Sequence, residues 1–265
     1  MTSASTRALT PALTLYAVPG LPEIAPGDDL APLILDGVGT DWEWQDGDVV
    51  VLAQKIVSKA EGRFRSLAET VPSARAQRIA AETDKDPAMV ELVLRESSAI
   101  VRHRRGVLIT RHRGGAVLAN AGIDASNVPP GPDGGDRVLL LPEDSDRSAS
   151  ALRASLQSAI GCRLAVVIND SPGRAWRRGS AGIAIGVSGL TPVADLKGRP
   201  DRDGRPLQAS ELAVADEVAT AASLVMGQGG EGQPAVIVRG LPVMHLSETG
   251  SAADLIRDAE MDLFL

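Results

Sequence analysis

Apolar residues in this chain come in short, β-branched runs separated by glycine- and proline-bearing polar stretches, and this division governs what the chain can build. VVVLA (49–53), AVVI (165–168) and PAVIVRGL (234–241) have the composition and length of buried strands. The first of these is read as continuing through VVVLAQKIV and stopping at Gly62. LTLYAVPGL (13–21) reads as a further strand that ends near Pro19-Gly20. Helical periodicity occupies the intervals. Residues 28–35 predict a short helix packed by Leu30, Leu33 and Ile34, with Pro32 tolerable only in its first turn. Residues 73–100 predict helix, interrupted and restarted at Pro87. Helices are also expected from Ser148 to Gly161, within 209–227 and over 251–265. GVLITRHRGGAVLAN (106–120) predicts two strands joined by a basic, glycine-rich turn. The strand–helix–strand order indicates mixed α and β structure.

Several function classes are disfavoured. Aromatic residues are 2% of the 265, so the core must be Val, Ile, Leu and Ala, and a base-stacking platform is not expected. The net charge of −7 argues against nucleic acid, and RHRRG (102–106) and RHRGG (111–115) suit a solvated hairpin face. A single cysteine, Cys162, excludes an internal disulfide framework and a cysteine-based zinc cluster. No 18-residue apolar run is present, so no membrane span is expected. The N-terminus is a poor signal peptide, and the cytoplasm is the expected compartment. His103, His112 and His245 form no HExxH, and neither GxxxxGK[ST] nor GxSxG occurs. GQGGEG (227–232) departs from GxGxxG and follows a helical segment, which excludes a Rossmann site.

The chemistry concentrates in a few loops. NDSPGRAWRRGSAGIAIGVSGL (169–190) places Asp170 and Ser171 just past a strand end, followed by Arg174, Arg177 and Arg178. A carboxylate with a hydroxyl suits a hard divalent ion, and arginines suit phosphoryl or carboxylate oxygens. NAGIDASN (120–127) offers Asp124 among Asn120, Ser126 and Asn127. The two carboxylates can converge on one ion, while Asx turns explain either loop without a metal. Lys55 and Lys59 either meet nucleotide phosphates or face solvent. The Met226–Pro234 loop either curls its amides round an anion or simply connects two elements.

GLPEI (20–24), DGDVVVLAQKIVSKAEGR (46–63), NAGIDASN, NDSPGRAWRRGSAGIAIGVSG (169–189), GRPDRDGRPL (198–207) and ADEVATAASLVMGQGGEGQPAVIVRG (215–240) occur in that order over nearly the whole chain. In these strings the chain resembles the coenzyme F420:L-glutamate ligase family, also called F420-0:gamma-glutamyl ligase. The resemblance implies an α+β fold of the family's own, with mixed and antiparallel sheets, neither Rossmann nor Mur-ligase-like. It implies one unit over 1–265, or two intimately packed subdomains, without the C-terminal nitroreductase-like domain of some homologues. It implies GTP-dependent addition of L-glutamate to the lactyl-phospho carboxylate of F420-0, then γ-linked glutamates, by way of an acyl phosphate. Mg²⁺ or Mn²⁺ at two sites, potassium and a homodimer belong to the same expectation.

By that resemblance Asp124, Asp170, Ser171 and Gln228 are metal ligands, Gln228 through its amide oxygen. Leu21, Pro22, Glu23, Ile24, Gln54, Lys55, Lys59 and Asn127 line the nucleotide pocket with Met226, Gly227, Gln228, Gly229, Gly230, Glu231, Gly232 and Gln233. Asp124, Asp170, Arg174 and Arg178 carry the chemistry. A related ligase with another carboxylate acceptor and a non-catalytic metabolite binder are the competing readings.

Overall fold

The computed structural model describes residues 12–131, 134–242 and 245–262. In chain order the elements are β1 (Thr14–Ala17), α1 (Leu30–Val38), β2 (Val49–Ala53), α2 (Gln54–Ala60) and β3 (Phe64–Ser66). Then come α3 (Ala74–Thr83), α4 (Pro87–Arg95), β4 (Ser97–Arg104), β5 (Val107–His112), β6 (Val117–Ala119) and β7 (Arg137–Leu139). The last are α5 (Ser145–Ile160), β8 (Ala165–Asp170), β9 (Ile183–Ser188), β10 (Ala194–Asp195), β11 (Glu211–Leu212), α6 (Val214–Met226) and β12 (Ala235–Arg239). The result is the expected α+β architecture.

The three apolar runs are neighbours in one five-stranded sheet, ordered β1-β12-β2-β8-β9. β2 and β8 are parallel, and the other pairs are antiparallel. Strand alternation explains why these runs lack polar positions. Val50, Leu52, Val166, Ile168 and Ile237 pack on one face with Ile34 and Val38 of α1 and Leu156 of α5. Val49, Val51, Val167, Val236 and Val238 pack on the other with Val214, Val218 and Ala222 of α6. A third cluster joins Ile79 of α3, Val90 and Val93 of α4, Leu108 of β5, Ile123 and Val138.

Local signals set the helix starts. Asp29 caps α1 by accepting from the Ala31 amide, which leaves Pro32 in the first turn as required. Pro87 opens α4 after the Asp86 cap. Asp144 caps α5 through the Arg147 amide, so that helix begins at Ser145 rather than Ser148.

Three expectations are corrected. The strand from Val49 ends at Ala53, and QKIVSKA is the helix α2; Ser58 Oγ donates to Gln54 Oε1 at 2.9 Å one turn earlier. Its Ile56 and Val57 are both buried, a pattern that continues the apolar run but suits a helix face. The helical reading of 73–100 stops at Arg95, because β4 pairs with β5 from Ser97 onward. The C-terminal segment forms only 3₁₀ turns, Ala252–Leu255 and Ala259–Met261, the first closed by a Ser251–Asp254 capping box. Residues 263–265 of that expected helix lie outside the described residues. No described helix is long and apolar enough to cross a membrane.

Sheet register collects the chemically rich loops at one edge. Ala17 pairs with Val236, Ala235 with Leu52, Ala53 with Asn169, and Asp170 with Ile183. The 18–29 loop, the start of α2, the 171–182 segment and the 227–234 loop therefore all leave the sheet on the same side. This is the side of the C-terminal ends of the parallel pair, where open α/β sheets hold their ligands.

Candidate active site

Asp170 is the last residue of β8, and its Oδ1 accepts from the Ser171 amide at 2.8 Å. Asp124 comes from a separate part of the chain. Asn120, Ala121 and Gly122 all have positive φ, which turns the backbone sharply before it. The Asp124 amide and carbonyl then bond to Leu139, fixing the residue's position. Its carboxylate meets Lys55 Nζ, from the first turn of α2, at 2.8 Å. Lys55 also donates to Ser126 Oγ at 2.8 Å, and the Ser126 amide returns a bond of 2.7 Å to Asp124 Oδ1.

The two carboxylates differ electrically. Burial pushes the Asp124 carboxyl up, but the Lys55 ammonium and the Ser126 hydrogen bonds outweigh it and hold it below the ordinary range. Burial also pushes Asp170 up. There the Ser171 amide does not compensate, and the charge of Asp124 adds to the rise. A pair of nearby acids with one shared lysine is short of positive charge.

The 227–233 loop closes the site from the far end of α6. Gln228 Nε2 donates to Ser171 Oγ at 3.0 Å. Gly229 N–H donates to Glu231 Oε2 at 2.7 Å, and the amides of Gln228, Gly229 and Glu231 hold that carboxyl below its usual range. The loop's amides therefore turn toward the chain's own Glu231 carboxylate. Gly230, Gly232 and Gln233 follow in the same exposed loop.

The remaining candidates fall in two groups. Lys59 is buried in the last turn of α2 and forms an ion pair with Glu23, which ties the 21–24 loop to the helix. Ile24 and Gln54 are buried; Leu21 packs against the same cluster as Ile24, and Pro22 is exposed. Asn127 is exposed with φ 55°. Arg174 and Arg178 stand on an exposed loop, with Arg174 Nη2 donating to the Arg178 carbonyl at 3.3 Å.

Buried polar atoms add Thr110 and Asn169, which motif reading missed, to Asn120 and His112, which it had named. Thr110 Oγ1, His112 Nε2, Asn120 Oδ1 and Asn169 Oδ1 have no hydrogen-bond partner among the described residues. Asn169 adjoins Asp170, and Asn120 opens the turn to Asp124. His112 contributes to the electrostatics of Asp170. His112 Nδ1 accepts from the Gly114 amide at 3.0 Å, so the neutral ring carries its proton on Nε2. Asn169 Nδ2 donates to Ser223 Oγ at 2.9 Å, leaving its oxygen free. One signal was available: a polar residue at the end of a wholly buried run.

The side chains expected to hold a metal offer hard donors only: two carboxylates, a hydroxyl and an amide. This set fits a small divalent cation that fills its other positions with water or phosphate. No group of three or more His, Cys, Asp or Glu side chains suited to a metal occurs among the described residues.

Comparison with known proteins shows where this architecture belongs. The model of the F420-0:Gamma-glutamyl ligase family matches residues 20–240. The chain belongs to that family. It is 47% identical to the coenzyme F420:L-glutamate ligase of Methanothermobacter thermautotrophicus, over 95% of this chain and 98% of the relative. It is 46% identical to the ligase of that name from Methanopyrus kandleri, over 96% and 98% of the two chains. For the Haloarcula marismortui ligase the identity is 41%, over 95% of each. Asp124, Asp170 and the 226–233 loop of this F420-0:gamma-glutamyl ligase family member all lie inside the matched range.

Proposed function

We propose that this chain joins the α-amine of L-glutamate to the lactyl-phospho carboxylate of coenzyme F420-0, and then adds γ-linked glutamate. One observation carries the reading: Asp124, paired with Lys55 at the start of α2, and Asp170, at the end of β8, lie at the same end of the sheet from which the glycine-rich loop also emerges. In a chain of this family, that assembly is suited to a nucleotide triphosphate and an anionic acceptor.

A free carboxylate is a poor acyl donor. In the proposed reaction the acceptor carboxylate attacks the γ-phosphorus of GTP, giving an acyl phosphate and GDP. The amine then attacks the acyl carbon, and phosphate leaves with the C–O bond electrons. Asp124, Asp170, Ser171 and Gln228 would hold Mg²⁺ or Mn²⁺. Such an ion, when bound, offsets repulsion between phosphate and carboxylate oxygens. Lys55 balances Asp124 and would meet incoming phosphate. The amides of 227–232, with Lys59, Asn127 and the 21–24 loop, bind the nucleotide. Arg174 and Arg178 orient anionic oxygens of the acceptor or of glutamate. The proposal includes two divalent ions, potassium, a homodimer in the cytoplasm and a chain that works as one unit.

Mass spectrometry of F420-0, L-glutamate, GTP and Mn²⁺ with the protein tests it, with ATP and Asp170→Ala as parallel arms. Successive glutamyl additions by the wild type, accompanied by GDP and absent from the variant, are expected. Folded protein that binds GTP yet adds nothing to F420-0 moves the assignment to another carboxylate acceptor.

A further inference from the structure

Between β8 and β9 the chain makes a projecting finger. A bridge between Gly173 and Ser180 closes its base, and Ala181 N–H donates to the Pro172 carbonyl at 3.3 Å. Every residue from Gly173 to Ser180 is exposed. At its tip Trp176 is 84% exposed, and its backbone is held at φ 63°, a region costly for a bulky side chain. It is the only exposed aromatic residue among those described. The others have company: Tyr16 stacks on Trp42, Arg239 covers Trp42, and Arg137 covers Phe64. Trp44 is half-buried against the core. A strained, solvated indole gives the fold nothing in return.

Charge narrows the occupant. Arg174, Arg177 and Arg178 flank the indole, and none of them forms an ion pair among the described residues. The chain as a whole carries −7, so this unpaired positive patch is local. The finger begins three residues after Asp170. Its complement is a planar aromatic carrying a phosphodiester, with a carboxylate to present at the Asp124–Asp170 edge.

We infer that Trp176 is the residue that selects the acceptor, stacking on the flat ring of F420-0, a deazaflavin, while the finger arginines meet its lactyl-phospho group. This inference rests on the ligase reading above and adds the acceptor's aromatic end to it. An indole face tolerates any flat ring system, and the arginines select those that carry phosphate.

The test uses the full-length protein with Trp176→Ala and Trp176→Phe. Equilibrium dialysis of F420-0 without GTP or glutamate reads binding in the absence of turnover. Trp176→Ala is expected to weaken binding about ten-fold, a typical loss for one stacked ring, and Trp176→Phe to recover most of it. In turnover, KM for F420-0 rises about as much in the Ala variant, while kcat and KM for GTP stay within about two-fold. Unchanged F420-0 binding in Trp176→Ala overturns the inference. So does a shift of that variant from dimer to monomer in sedimentation with KM for GTP rising in parallel, which assigns the tip to a contact between copies. If the wild type ligates glutamate normally and only these effects are missing, the acceptor contact alone fails. If the wild type neither binds nor ligates F420-0, the ligase reading fails with it.

Discussion

Arg63, which ends the 46–63 string, and Glu96, which lies outside all the strings shared with the family, form a buried ion pair. Arg63 Nη2 lies 2.9 Å from Glu96 Oε2, both side chains are buried, and Arg63 Nε donates to the Leu141 carbonyl at 2.9 Å. Arg113 approaches the same carboxylate at 3.2 Å. Glu96→Gln strips the buried guanidinium of its counter-charge and is expected to cost about 3 kcal/mol at neutral pH. Burial pushes the Glu96 carboxyl up, but His112 and the two arginines outweigh it, so its folded value lies below the ordinary one. The stabilisation is therefore complete above about pH 4.3 and disappears as pH falls through the folded value. Urea unfolding of the two proteins at neutral and strongly acidic pH checks this; a gap that widens with acid would contradict it. None of this pairing was legible from spacing, because Arg63 and Glu96 meet only through tertiary packing. Asp124 and Asp170 were legible as candidates because their loops follow strand-like runs, but Lys55 as the partner of Asp124 was not.

Elements were read well where one local rule acted alone. Pro87 restarted a helix, Gly161 ended one at φ 75°, and the buried strands followed from composition. Reading failed where an apolar run crossed a change of period, as at Ala53, since residues buried on both sides of a strand look like those on a helix face. The junction of β9 with α6 depends on a close approach that sequence could not show. A Cβ on Gly182 would lie 2.6 Å from both the Ala219 carbonyl and Asn169 Oδ1. Thr220 Oγ1 also donates to the Gly182 carbonyl at 2.7 Å. Gly182→Ala is accordingly expected to destabilise by about 1–3 kcal/mol, read as a lower urea midpoint at unchanged slope. An unaltered midpoint would mean that α6 moves off β9 without cost.

At the scale of the whole molecule, the candidate site unites segments that have no proximity in sequence. Loops from both ends of the chain meet at one sheet edge only after every strand has found its register. Ligands bound there should hold the global fold together. GTP with Mn²⁺ at about one hundred times the dissociation constant is expected to add about 2.7 kcal/mol of stability. Differential scanning fluorimetry checks this as a rise in Tm in the wild type and none in Asp170→Ala. An equal rise in both would remove Asp170 from the ligand's surroundings.

The strand order has one more consequence. β12 lies between β1 and β2, so the last strand among the described residues to be synthesised occupies an interior place in the sheet. On the ribosome, β1 waits without its neighbour until translation has passed Arg239. A chain that stops short of Ala235 lacks both the strand that seats β1 and the strand that anchors the 227–233 loop on the side away from α6. Truncated products of this gene should therefore be unable to capture nucleotide in competition with the finished protein.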